Sequence, residues 1–142
     1  MSVKPATDYF GRTIPFLELC GVRALSKEKG RTRLGVTAGP EHDNSFGRAH
    51  GGLIMTLLDV ALGSAARSVL GEEARIMTLN MQTQFLEAAM GELTAEGRVV
   101  RAGKTLIYCE GDVRDAEGRL LARASGSFMP FIPKKASAEA AS

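Results

Sequence analysis

The stretch Gly51-Gly52-Leu53-Ile54-Met55-Thr56-Leu57-Leu58-Asp59-Val60-Ala61-Leu62-Gly63-Ser64-Ala65-Ala66 decides the fold. Asp59 is its only ionisable side chain. Leu53, Ile54, Leu57, Leu58, Ala61, Leu62, Ala65 and Ala66 recur at helical spacing on more than one face. A helix apolar nearly all round is a buried helix. This one is expected to end after Arg67 and before Gly71.

Beyond it the pattern changes to period two. Met77, Leu79 and Met81 alternate with Thr78, Asn80 and Gln82. Leu93, Ala95, Gly97 and Val99 alternate with Thr94, Glu96 and Arg98. Ile107, Cys109, Gly111 and Val113 form a third inward set, and Leu120, Ala122, Ala124, Gly126 and Phe128 a fourth. Each run reads as an antiparallel strand with one buried face. Turns fall at Ala89 to Glu92, Ala102 to Lys104 and Asp115 to Gly118. The inward faces are rich in Ala and Gly, which lets a helix approach closely.

Before the helix, Thr13 to Leu19 predicts a short helix with Pro15 in its first turn. Gly21 to Ser26 and Thr32 to Ala38 predict two strands joined by a turn at Glu28, Lys29 and Gly30. Gly39 to Ala49 reads as loop. The fold class is therefore α+β, one long antiparallel sheet wrapped around a central buried helix. One sheet face cannot cover a helix that is apolar all round. A partner subunit must meet the remainder, so a homo-oligomer is expected.

The chain has 142 residues, the length of one domain, with 44% apolar and 24% charged residues. A single domain over residues 1–132 and a disordered tail over residues 133–142 are expected. The net charge of +2 gives no bulk electrostatic case for nucleic acid. Cys20 and Cys109 are far apart and form no ligand spacing, and with two His a metal site is not expected. No secretory signal and no apolar run long enough to span a membrane is read. The expected location is cytoplasmic.

Asp59 in an apolar helix is costly to desolvate, so it must be paired, protonated or facing a cleft. At the helix start, His50-Gly51-Gly52 gathers free N–H groups and the positive end of the helix dipole. A carbonyl oxygen that gains charge in a transition state would be stabilised there. No Gly-x-Ser-x-Gly elbow accompanies the string, which argues against a serine hydrolase. Eight residues separate Gly51 from Asp59, about 12 Å of helix rise and about 80° of rotation. One carbonyl cannot touch both from the same helix. If both act at one centre, they belong to different subunits.

The segment Asn44-Ser45-Phe46-Gly47-Arg48-Ala49-His50-Gly51-Gly52, followed by Asp59, resembles the hotdog-fold acyl-CoA thioesterases. The likeness covers Phe16 to Phe131 and points to the branch named for the phenylacetate-degradation thioesterase PaaI. That resemblance implies hydrolysis of an acyl-CoA thioester without metal or other cofactor. It implies Asp59 as general base on water or as nucleophile. It implies the Gly51 N–H of a neighbouring subunit on the thioester carbonyl, with Asn44 and His50 orienting water or supporting the loop. A Ser or Thr on the strand after the helix positions water in this family. Met77 and Thr78 compete for that place, and Thr78 alone has a hydroxyl. Coenzyme A contacts are implied at Gly52, Phe85, Gly103, Lys104 and Thr105, with Arg101 and Arg48 as further cations. The acyl pocket is expected from Met55, Leu58, Leu62, Met77 and Met81 with a partner's residues. The resemblance also implies a dimer or a dimer of dimers, a homotetramer. A non-catalytic acyl-CoA binding module is the alternative; a dehydratase would need a His and carboxylate placed for elimination, which His50 does not resemble.

Overall fold

A computed structural model describes residues 8–133. Most of the expected tail, Lys134 to Ser142, lies outside the described residues. The chain order is α1 (Pro15–Cys20), β1 (Arg23–Glu28), β2 (Arg31–Ala38), α2 (Gly51–Ser68), β3 (Arg75–Phe85), β4 (Gly91–Ala102), β5 (Ile107–Arg114) and β6 (Leu120–Phe131). A 3-10 turn, Pro40–His42, interrupts the loop before α2. All six strands form one antiparallel sheet in the order β1-β2-β4-β5-β6-β3. Both β1 and β3 are therefore edges.

The sheet covers one side of α2. Leu53, Ile54, Leu57, Leu58, Ala61, Leu62, Ala65 and Ala66 are buried against it. The opposite side is not buried within the chain. Gly52 and Met55 are exposed, Thr56, Asp59, Val60 and Gly63 are half-buried, and Met55 is 41% exposed. The uncovered face is made largely of small and polar residues, so one layer of sheet suffices for the large aliphatic ones.

The helix seat is at Ala61. Thr32 on β2, the only buried polar residue among the described residues, donates its hydroxyl to the Ala61 carbonyl at 2.7 Å. Its register partner on β4 is Gly97. A Cβ at Gly97 would lie 2.2 Å from the same Ala61 oxygen and 2.7 Å from the Leu62 nitrogen. The helix backbone thus rests directly on the strand, and only glycine allows it. Asp59 is two residues from this seat, so the contact also sets where the carboxylate stands. Thr32→Val is expected to lower stability by about 1 kcal/mol by removing the buried hydrogen bond. Urea titration checks this, with an unchanged midpoint as the contrary result.

The alternation on β3 is broken by a bulge. Thr78 pairs with Phe128 and Asn80 with Ser127, which leaves Leu79 as the extra residue. Ile76 and Thr78 share one face before the bulge, and Met81, Thr83 and Phe85 continue that face after it. Met77 and Leu79, expected inward, are instead 48% and 47% exposed. A second irregularity opposite Arg114 buries Leu121, expected on the outer face.

The outer face of the central strands carries an ion-pair network. Glu96 meets Arg98 at 3.0 Å, Arg31 at 3.6 Å and Arg33 at 3.9 Å. Arg98 also meets Asp112 at 3.3 Å, and Asp112 meets Arg114 at 3.6 Å. Burial lowers the proton affinity of Arg98, but Glu96, Asp112 and Glu110 outweigh it and hold its pKa above the ordinary value. Lysine at this centre would lose the forked geometry that serves several carboxylates.

Candidate active site

The loop before α2 is tied at several points. Asn44 accepts, through Oδ1, the N–H of Phe46 at 2.8 Å and of Arg48 at 3.1 Å. Its own N–H donates to the Arg48 carbonyl at 2.7 Å. Gly47 closes the turn at φ +73°, a conformation that favours glycine. Ala49 N–H donates to the Ala89 carbonyl at 2.8 Å. His42 braces the other side: its Nδ1 accepts from Gly39 N–H at 2.9 Å and its Nε2 meets the Cys20 carbonyl at 2.7 Å. Because Nδ1 is the acceptor, the proton is assigned to Nε2.

This loop delivers His50 in an extended conformation, φ −61° and ψ 140°, as the cap of α2. His50 Nδ1 accepts from Gly52 N–H at 2.8 Å. The Gly52 amide is therefore already used, and a ligand contact from it is not open. Gly51 is the first helical residue, where an N–H has no intrahelical partner. Nothing among the described residues accepts from it. The ring of Phe85 lies against Gly51, 3.4 Å from where a Cβ would stand. Asn44, Arg48, Gly51 and Phe85 line one open cleft.

Asp59 stands in another cleft. Thr78 donates its hydroxyl to Asp59 Oδ1 at 2.8 Å. The bulge at Leu79 lies just beyond, so Thr78 keeps the face that meets α2. Of the competing pair, Met77 points away and Thr78 reaches the carboxylate. Asp59 is half-buried and opens to a cleft of about 360 Å³ that Thr78, Val60, Gly63 and Ile76 help to line. No residue lines both this cleft and that of Gly51.

Other expected residues stand apart. Gly103, Lys104 and Thr105 form the exposed loop between β4 and β5, closed by Gly103 N–H to the Leu106 carbonyl at 2.8 Å. They line neither cleft within one chain. Leu58 and Leu62 are fully buried under the sheet and line no opening, which corrects their place in the expected acyl pocket. Met55 and Met77 are exposed and line neither cleft within one chain.

Three arginines of the Asp59 cleft, Arg12, Arg67 and Arg75, were not anticipated from the sequence. Only Arg67 had a usable signal, its place two turns along α2 from Asp59. The Thr83 hydroxyl, on the inner face of β3, is buried with no partner among the described residues.

Burial pushes the Cys109 thiol up to about 12, which keeps it protonated and unreactive near neutral pH. Native protein at pH 8 is expected to expose one titratable thiol, Cys20, and two after denaturation. Two thiols reacting in the native state would contradict this. No cluster of three or more His, Cys, Asp or Glu suited to a metal ion occurs among the described residues. No helix among them is long and apolar enough to cross a membrane.

The family model of the Thioesterase superfamily matches residues 46–122, from the loop before α2 into β6. The chain belongs to that superfamily, and its sheet curled on one long helix is the hotdog fold. It is 32% identical over 127 residues to the Saccharolobus solfataricus protein named "Putative esterase SSO2140", covering 89% of this chain and 90% of that one. A Thioesterase family protein from Silicibacter pomeroyi superposes with a TM-score of 0.81 at 27% identity, covering 84% of this chain and 91% of its own. The E. coli PaaI protein of the phenylacetic acid degradation operon superposes with a TM-score of 0.78, covering 83% and 85%. At 19% identity that last likeness is one of fold.

Proposed function

We propose that this thioesterase-superfamily chain hydrolyses acyl-CoA thioesters to a free acid and coenzyme A, as a member of the PaaI branch. The observation that carries the reading is Asp59, held by Thr78 in an open cleft at 2.8 Å. Thr78 occupies Oδ1 and fixes the carboxylate, which leaves Oδ2 to receive a proton from water. Water adds to the thioester carbon, the C–S bond breaks, and the proton passes to the departing thiolate. Direct attack by Asp59 followed by hydrolysis of the acyl-enzyme is the other route open to the same geometry.

The developing oxyanion needs a donor that is not already engaged. The Gly51 N–H is such a donor, but it opens to a different cleft from Asp59 in the same chain. We place the working site between two copies, Gly51 of one chain meeting Asp59 of the other. We seat the second copy along the edge strand β3, which presents Thr78 to Asp59 on one face and leaves Met77 and Leu79 exposed on the other. His50 and Asn44 then act by holding the loop that presents Gly51. Phe85, Gly103, Lys104 and Thr105 are assigned to coenzyme A, the loop residues reaching it through the assembled oligomer. The reaction as written requires a carboxylate, an amide and water, with no metal or redox cofactor. The cytoplasm is the proposed location, and a dimer or a dimer of dimers the proposed assembly.

A panel of acyl-CoA thioesters with a thiol reagent tests the reading. Release of free thiol in proportion to enzyme is expected. Saturable binding with no release would make the chain a binding module instead.

A further inference from the structure

The cleft beside Asp59 has a charged far end. Arg12, Arg67 and Arg75 line it together with Asp59, Val60 and Ile76. None of the three guanidinium groups forms an ion pair among the described residues. Arg12 and Arg67 also line a neighbouring cleft with Phe10, Lys27 and Glu72. On that side each donates one N–H to a backbone carbonyl, of Glu72 and Phe10, which leaves their other guanidinium N–H groups for the Asp59 cleft. This contrasts with the outer sheet face, where Arg98 is shared among three carboxylates. The Arg67 guanidinium is held below its ordinary value, by burial first and by repulsion from Arg12 and Arg75 next, with Asp8 opposing. Asp8 in turn accepts the Gly11 N–H through Oδ1 at 2.6 Å.

The backbone that delivers Arg12 is strained. Phe10 adopts φ +56°, the only non-glycine residue with positive φ among the described residues. Such a conformation costs of the order of 1 kcal/mol and persists only where the surroundings enforce it. Here the turn is closed by two hydrogen bonds between Tyr9 and Arg12 and anchored by Tyr9, whose hydroxyl donates to the Val22 carbonyl at 2.8 Å. The turn brings Arg12 toward Arg67 of α2 and Arg75 of β3, and a bound anion would relieve the repulsion among the three.

Ile14, Val60 and Ile76 give the cleft an apolar wall, with Gly63, Ser64 and Thr13 beside them. Asp59, Gly63 and Arg67 follow one another along α2, with about 12 Å of rise from first to last. A carboxylate matches the forked donors of arginine. An alkyl chain suits the wall of Ile14, Val60 and Ile76.

We infer that the acyl group taken by this cleft ends in a second carboxylate, bound by Arg12, Arg67 and Arg75 while its thioester carbon lies at Asp59. The substrate class is then a thioester of a dicarboxylic acid. This inference rests on the thioesterase reading of Asp59.

The test compares suberyl and octanoyl thioesters, equal in chain length and differing in the terminal carboxylate. Each is supplied both on coenzyme A and on N-acetylcysteamine, which carries no phosphate. Wild-type protein, Arg12→Gln and Arg75→Gln are compared; Arg67 is kept because it also holds the Phe10 carbonyl. Wild type is expected to favour suberyl by roughly tenfold or more in kcat/KM on both carriers, as hydrogen bonds to a charged group permit. Each variant is expected to lose about tenfold on suberyl, and less than about twofold on octanoyl. Equal rates for suberyl and octanoyl in wild type would overturn the inference and leave Asp59's role standing. Equal losses on both acyl groups, confined to the coenzyme A carrier, would assign the arginines to phosphate and overturn it too. No hydrolysis of any thioester would overturn the thioesterase reading together with this one.

Discussion

Asp59→Asn is expected to abolish most turnover, a loss of about 10²- to 10⁴-fold in kcat, while the protein stays folded. The substitution keeps the size of the side chain and an oxygen for the Thr78 hydroxyl, now at 2.8 Å from Oδ1. It removes the lone pair that takes a proton from water and the charge that makes a nucleophile. Asp59 is half-buried on the uncovered side of α2 and packs none of the core, so circular dichroism and melting temperature should hardly change. Thr78→Val is expected to lower kcat by a smaller factor, about tenfold, because it loosens the carboxylate without removing it. Steady-state hydrolysis of an acyl-CoA checks both. Full activity in Asp59→Asn would remove this residue from the mechanism.

Gly97→Ala is expected to produce the largest loss of stability of any single methyl addition in the sheet. The added carbon would meet the Ala61 oxygen at 2.2 Å, the Ala61 carbonyl carbon at 2.4 Å and the Leu62 nitrogen at 2.7 Å. All three are backbone atoms, so no side chain can turn aside. The helix must lift from the sheet, which opens space beneath Leu57, Leu58 and Leu62, all fully buried. A cost above about 3 kcal/mol is expected, beyond ordinary overpacking. Gly63→Ala is the contrast. Its added carbon would sit 3.5 Å from the Phe128 ring, an ordinary contact, in the interior of a helix. There alanine is expected to be neutral or stabilising by up to about 1 kcal/mol. Denaturant midpoints of the two variants, measured side by side, decide the matter. Similar midpoints would show that the close approach at Ala61 does not support the fold.

The architecture was legible where periodicity is long and regular. The run from Leu53 to Ala66 could only be a helix with a wide apolar face, and it is. The alternation of Leu93, Ala95 and Gly97 with Thr94 and Glu96 showed which face of β4 turns inward. β3 was less legible, because a bulge adds one residue without any mark in composition. Met77 and Leu79 look like core residues by parity, and Leu79 is the residue that resets the parity. The same slip decides whether Thr78 reaches Asp59, so a local backbone irregularity governs part of the candidate site.

The candidate site stands out in the sequence by its polar exceptions. A single carboxylate in an apolar helix and a His-Gly-Gly string at its start drew the reading to Asp59 and Gly51, each of which lines an open cleft. The arginines could not be read, because Arg12, Arg67 and Arg75 come from three separate segments that only the fold brings to one cleft. Leu58 and Leu62 show the converse. Apolar character suggested a pocket wall, whereas their side of the helix faces the sheet.

The central claim, that each site is built from two chains, is tested most directly by subunit complementation. Gly51→Pro removes the amide at the first helical position, where proline fits and no intrahelical bond is lost. The preceding His50 already has the extended conformation that proline requires, at φ −61° and ψ 140°. Gly51→Pro and Asp59→Asn are each expected to be nearly inactive alone. Mixed by unfolding and refolding together, they should form heterodimers in which one site combines an intact Gly51 with an intact Asp59. Recovery of roughly a quarter of wild-type activity is then expected from random pairing in a two-fold dimer. No recovery in a mixture shown to contain heterodimers would place both residues in the same chain's site and contradict the account.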